Sequence, residues 1–214
     1  LVDLEIYENT EAIYLDLYFQ DIETVITDLV DVLKNKAKIQ HFLAEFSSAV
    51  ETYNQAAVLY KRHKTDTVEY VYNLALIYYN QGSSFRAMRD YNAAIVAYDQ
   101  SIALLSKLAP DKLNAESGMF LAMGLTNRGL CFNNHKDDRE AIASYDRAFK
   151  VWENPIIRNG FSGWEVNLGI GYLNKSISLK VLGDVHEALN YNDKALMIFD
   201  RIVKKLIAHR LVIQ

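Results

Sequence analysis

Apolar positions along this 214-residue chain recur at steps of three and four rather than two. Between Thr67 and Arg86, Val68, Val71, Tyr72, Ala75, Tyr78 and Tyr79 follow that spacing, which gathers them on one wide helix face. Beyond Asp90, the residues Tyr91, Ala94, Ile95, Tyr98, Ile102 and Leu105 do the same. The pattern predicts further helices over 21–41, 45–63, 112–135, 138–152, 162–182 and 184–208, with one more inside 1–20. Pro110 and Asn154-Pro155 fall between helix pairs, where a missing backbone donor breaks no hydrogen-bond ladder. No stretch alternates strictly and no Asn-Gly hairpin signal occurs, so no strand is expected. The stretch Asn154–Gly163 reads as an irregular loop.

A short phrase marks every first helix of a pair. It reads Asn35-Lys36-Ala37, Asn80-Gln81-Gly82, Asn127-Arg128-Gly129 and Asn174-Lys175-Ser176, at steps of 45, 47 and 47 residues. Twelve residues after each small residue stands an alanine: Ala49, Ala94, Ala141 and Ala188. Seven further on come Ala56, Ser101, Ala148 and Ala195. Small residues at facing positions let two antiparallel helices approach closely, with large neighbours filling the grooves beside them. A lone pair cannot bury its apolar face, so repeated pairs must stack. The expected organisation is an N-terminal helix (1–20), four repeats (21–64, 65–110, 111–155, 156–208) and a tail (209–214).

These offsets resemble the tetratricopeptide repeat (TPR) family. Two copies carry the pattern in full, Gly82-Phe85-Ala94-Tyr98-Ser101 and Gly129-Phe132-Ala141-Tyr145-Ala148. Two are looser, Ala37-Gln40-Ala49-Tyr53-Ala56 and Ser176-Leu179-Ala188-Asn192-Ala195. The resemblance covers about residues 21–208 and implies an all-α, right-handed superhelical solenoid of antiparallel helix pairs. The step departs from the usual 34 residues, and helices lengthened by a turn or two account for it.

The same resemblance implies a concave groove lined by the first helices, with the residue two before each notch pointing into it. All four are asparagine: Asn35, Asn80, Asn127 and Asn174. A carboxamide donates and accepts at once, so it can hold a peptide backbone without regard to side chains. The row resembles the asparagine ladder of O-GlcNAc transferase and kinesin light chain. Lys34, Lys38, His41, Arg86, Asn133 and Lys180 would flank it, giving a mildly basic groove for an acidic or extended peptide. Some TPR proteins clamp a chaperone's C-terminal carboxylate with Lys and Asn on the first helix, Asn on the second, and Lys and Arg on the third. Lys34 and Asn80 match, but Lys38, Met123 and Asn127 replace the other members, leaving too few cations.

Composition narrows the rest. Net charge is -4, which offers no global field for nucleic acid or an anionic membrane. No apolar run reaches the roughly 18 residues of a membrane span. A lone Cys131 excludes an internal disulfide and fits a reducing, cytoplasmic setting. Cys131 and His135 share a helix face, but two ligands are too few for a metal site. No phosphate loop, nucleophile elbow or His-Glu-x-x-His run occurs, so neither enzyme activity nor a cofactor is expected. The expected function is a scaffold or adaptor for a protein or peptide partner, with a regulatory or targeting domain of a larger enzyme as the rival. Apolar ends, Leu1-Val2 and Leu206-Ile207 with Leu211-Val212-Ile213, point to a longer array or to self-association.

Overall fold

A computed structural model describes residues 22–62, 67–108, 114–160 and 163–212, together with positions 7, 10 and 13. The helix expected within 1–20 lies outside the described residues, those three positions apart. Nine helices and no strands occur among the described residues. They are α1 (Ile22–Phe42), α2 (Phe46–Arg62), α3 (Val68–Ala87), α4 (Tyr91–Leu105), α5 (Ala115–Asn134), α6 (Asp138–Trp152), α7 (Pro155–Gly160), α8 (Trp164–Leu182) and α9 (Val185–Val212).

The chain divides into two compact units, residues 1–112 and 113–214. In the first, α1 pairs with α2 and α3 with α4, while α2 packs against α3. In the second, α5 pairs with α6 and α8 with α9, while α6 packs against α8. Each unit therefore buries its helix faces pair upon pair, as the stacking argument requires.

The notch explains the close approach within a pair. A Cβ added at Gly82 would lie 2.9 Å from the Tyr98 ring, and one at Gly129 only 2.5 Å from that of Tyr145. Both tyrosines are fully buried, so their rings fill the space that the glycines leave.

A second device turns the chain between the helices of a pair. Seven residues past each notch the backbone enters the left-handed region: Ala44 (φ 62°), Arg89 (62°), Lys136 (61°) and Gly183 (90°). The next amide then reaches back into the first helix, Glu45 to Gln40, Asp90 to Phe85, Asp137 to Phe132 and Asp184 to Leu179, at 2.8–3.0 Å. That return bond satisfies a carbonyl that the helix end leaves open. Asp90 and Asp137 also cap the second helix, accepting from the amides of Ala93 and Glu140.

One expectation needs correction. The stretch 154–163 is not irregular throughout, because α7 occupies Pro155–Gly160. The Asn154 side chain accepts from the Ile156 amide at 2.9 Å, Pro155 opens the turn, and Ile157 is fully buried beneath it. Helix α9 runs on to Val212. Past Gly183 the sequence has no glycine or proline to stop it. Arg201 and Lys205 bridge to Glu165 on α8 at 2.8 and 3.3 Å, and Lys204 pairs with Asp200 at 2.7 Å.

Candidate functional site

In the first unit several predicted residues meet. Lys38 and His41 on α1, Tyr53 on α2, and Asn80 and Ser83 on α3 line one cleft of about 200 Å³. The elements bring them together because helix α3 stacks on the α1–α2 pair, so the residue two before its notch falls beside the last turns of α1. Asn80 is half-buried, and its carboxamide makes no hydrogen bond to any described residue. His41 Nδ1 and Ser84 Oγ share a hydrogen bond of 2.9 Å. Burial, and secondly the nearby Arg86 guanidinium, hold the His41 imidazole below its ordinary 6.5. The charge at this cleft near pH 7 thus comes from the exposed Lys38 and Arg86 rather than from the imidazole.

Other predicted residues sit elsewhere. Lys34 lies almost buried, its ammonium donating to Asp31 at 2.7 Å and to Asn73 on α3 at 3.1 Å. Its charge is thereby committed inside the helix stack. Asn35 is half-buried on α1. In the second unit Asn127 and Asn174 are half-buried on α5 and α8. Asn133 is a packing residue there: its amide donates to Asp138 at 2.8 Å and to Ser178 on α8 at 2.5 Å, and its carbonyl accepts from Tyr145. Lys180 is exposed on α8, at a hollow of about 390 Å³ bordered by Leu173, Ile177 and Leu189. Cys131 is buried, and no cluster of metal-ligating side chains occurs among the described residues.

Against this geometry the comparisons with known proteins fall into place. Residues 69–104, which span α3 and α4, match the model of the tetratricopeptide repeat. The chain has the tetratricopeptide-repeat fold. Solved structures agree: MamA superposes with a TM-score of 0.61 at 20% identity, covering 92% of this chain and 91% of that one. A putative kinesin light chain from Podosopora anserina with nearly identical TPR-like repeats gives 0.66 at 12% identity, covering 93% and 86%. Aspartyl phosphate phosphatase F from Bacillus subtilis gives 0.68 at 17% identity, covering 92% of this chain but 45% of that one. No curated protein matches the sequence. Helical-repeat folds of this type are typical of protein-interaction scaffolds, and no described helix is long and apolar enough to cross a membrane.

The middle residue of two TPR phrases, Gln81 and Lys175, carries a role that sequence reasoning overlooked. Gln81 on α3 is buried and donates to Asn54 of the preceding α2 at 2.6 Å. Lys175 on α8 is buried too, and donates to Asp146 of the preceding α6 at 2.6 Å and to Tyr191 of α9 at 3.0 Å. Burial pulls the Lys175 amine down, but the bonds from Asp146 and Tyr191 and the Asp146 charge outweigh it. The net pKa lies above the ordinary 10.5. Asn54 and Asp146 stand at the same register, five residues past Ala49 and Ala141. One clamp thus recurs between the second helix of a pair and the first helix of the next. The signal was available in the sequence: every middle residue is long and polar at a position flanked by packing residues.

Proposed function

We propose that this protein is a non-catalytic scaffold that holds an extended peptide in the cleft beside Asn80. The half-buried Asn80 carboxamide carries the reading. It stands unbonded to described residues beside Lys38, His41, Tyr53 and Ser83, with room for a donor and an acceptor of a passing backbone. Lys38 and Arg86 favour acidic peptides, and exposed cations act mainly on encounter rate and on salt dependence. Asn35 is proposed to extend the grip within the first unit, and Asn127 and Asn174 to hold peptide backbone in the same way within the second, with Lys180 as a further cation there. In the assay, displayed random peptides are selected on the wild-type chain, and the winners are re-measured against Asn80→Ala and Lys38→Ala. Asn80→Ala is expected to weaken them about ten-fold, the value of one or two backbone bonds lost, with circular dichroism unchanged. Lys38→Ala is expected to act chiefly at low salt. Peptides bound equally well by both variants would remove the cleft from consideration.

A second reading has one supporting observation. Aspartyl phosphate phosphatase F contains this fold as somewhat under half of its chain. On that reading the repeats serve as a regulatory or targeting domain beside a separate module. The same peptide assay on the full-length protein, with and without occupation of the cleft, would register a change in any attached activity.

A further inference from the structure

One member of a repeated set of tyrosines lacks the partner that the others have. Four residues past the second-helix alanine stand Tyr53, Tyr98 and Tyr145, and all three are buried. The Tyr98 hydroxyl shares a hydrogen bond of 3.2 Å with Ser83, one residue past its notch. The Tyr145 hydroxyl donates to Asn133, four residues past its notch. The same two positions in the first pair hold Lys38 and His41. An ammonium has no lone pair with which to accept, and His41 spends its Nδ1 on Ser84 at 2.9 Å. The Tyr53 hydroxyl accordingly makes no hydrogen bond to any described residue, although Tyr53 is only 1% exposed. A buried phenol ordinarily finds a partner, because an unmet hydroxyl forfeits the hydration it gave up on folding.

Tyr53 instead lines the cleft of about 200 Å³ beside Lys38, His41, Asn80 and Ser83. The cleft is walled by α1, α2 and α3, so it lies inside the stack of two pairs. Two donors therefore converge there, the phenol O–H at the buried side and the ammonium of the exposed Lys38, neither engaged by a described residue. We propose that they form a subsite for one acidic side chain, Asp or Glu, of a bound peptide. Its carboxylate accepts from the Tyr53 hydroxyl and the Lys38 ammonium together. Lys38 brings a single full charge to the lining, which suits a carboxylate, whereas a phosphoryl dianion calls for a cluster of guanidinium groups. The inference rests on the peptide reading above, in which Asn80 holds the backbone and the acid hangs from it into the cleft. Salt screens the exposed Lys38 far more than a short bond to a buried hydroxyl. A preference for acid over amide that survives high salt is thus the mark of Tyr53, and general steering by surface cations does not produce it.

The test is a double-mutant cycle at high salt. The probes are the peptides selected on the wild-type chain, made with amidated C-termini, and the same peptides with their acidic residue changed to the amide. The selected peptides are expected to share an Asp or Glu at one position. Tyr53→Phe is expected to weaken the acidic peptide about ten-fold or more, the value of a hydrogen bond to a charged group, and to leave the amide peptide nearly unchanged. Urea unfolding controls for structure: Tyr53→Phe should keep the wild-type midpoint, since its hydroxyl bonds nothing, while Tyr145→Phe should lower it. Equal discrimination between acid and amide by wild type and Tyr53→Phe would overturn the subsite. So would selected peptides without a shared acid, a need for a free terminal carboxylate, or a midpoint lost in Tyr53→Phe. Peptides weakened by Asn80→Ala but not by Tyr53→Phe would sink this inference alone. Peptides indifferent to Asn80→Ala as well would sink the peptide reading with it.

Discussion

Replacing Gly129 by alanine tests whether the notch sets the helix approach. The new methyl would sit 2.5 Å from Cε1, 2.8 Å from Cζ and 3.0 Å from Cδ1 of Tyr145, against an ordinary carbon contact of about 3.5–4.0 Å. The ring edge must therefore retreat by about 1 Å. It has little room, because Tyr145 is fully buried and its hydroxyl is held by Asn133, which also holds Asp138 and Ser178. Overpacking of a filled core costs about 1–3 kcal/mol, and this pinned ring puts the site near the top of that range. Alanine returns about 1 kcal/mol through its better helix propensity. The net is about 2 kcal/mol of destabilisation, or a fall of about 4–8 °C in melting temperature for a chain of this size. Gly82→Ala should cost less, about 1 kcal/mol, since its Cβ would stand 2.9 Å from the Tyr98 ring. Urea unfolding followed by circular dichroism measures both, with the slope checked because repeat proteins can unfold in parts. A Gly129→Ala chain as stable as the wild type would mean that the ring yields freely and that the notch does not fix the crossing.

Three other perturbations have definite signs. Tyr53 and Tyr145 have their phenols raised above 10.0 by burial, and Lys175 lies above 10.5. A raised folded pKa gives stability that is intact below the unfolded value and is lost as pH climbs through the folded one. Melting temperature should hold to about pH 10 and fall beyond it, with tyrosinate absorbance rising together with loss of helicity; ionisation of these phenols in an intact helical chain would contradict the burial argument. His41, lowered first by burial and then by Arg86, should titrate below 6.5 in an NMR series. Arg86→Ala should move it only part of the way back, and a full return would reverse the order of the two causes. Arg89→Gly removes a side chain from a left-handed position where non-glycine residues cost about 1–2 kcal/mol. It should stabilise the chain by up to about 1 kcal/mol after the glycine's extra unfolded-state entropy is deducted, and a loss in urea midpoint would show that the Arg89 side chain matters more than its backbone.

Much of the fold was readable because the same spacing decides local and long-range packing at once. The step of three and four gave the helices, and the notch at Gly82 and Gly129 with its alanine twelve residues on gave their pairing. Both signals come from side chains that meet within one pair, so a single stretch of sequence contains both partners. Less was readable where the deciding partner is distant or is backbone. Helix α7 escaped because glycines and a proline suggest a loop, while the buried Ile157 and the Asn154 cap that hold it speak only in three dimensions. The left-handed turn residues escaped because Ala44, Arg89 and Lys136 do not advertise a positive φ as glycine does. Among the site residues, Lys38, His41 and Asn80 were placed by register and do converge. Lys34 and Asn133 have the same register claim, but Asp31, Asn73, Asp138 and Ser178 engage them, and the spacing of one helix cannot reveal such neighbours.

The clamp between pairs also bears on why the repeats keep their order. Its chemistry differs between the units: a neutral Asn54–Gln81 bond in one, an ion pair of the buried Lys175 with the part-exposed Asp146 in the other. Setting Lys175 against Asn54 would replace its 2.6 Å contact with Asp146 and leave only Glu187, at 3.9 Å, as counter-charge to a buried cation, which costs more than a mismatched neutral bond. Volume applies a second, independent filter. Phe149 faces Gly171, whereas the corresponding positions in the first unit are Ala57 and Ile77, both buried in one core cluster. An exchange of modules would drive Phe149 towards Ile77 and leave Ala57 opposite Gly171, giving a clash at one junction and a void at the other. Repeats built on one phrase are thus kept from interchanging by the residue within that phrase that varies, with the bulk of the partner positions as a further check.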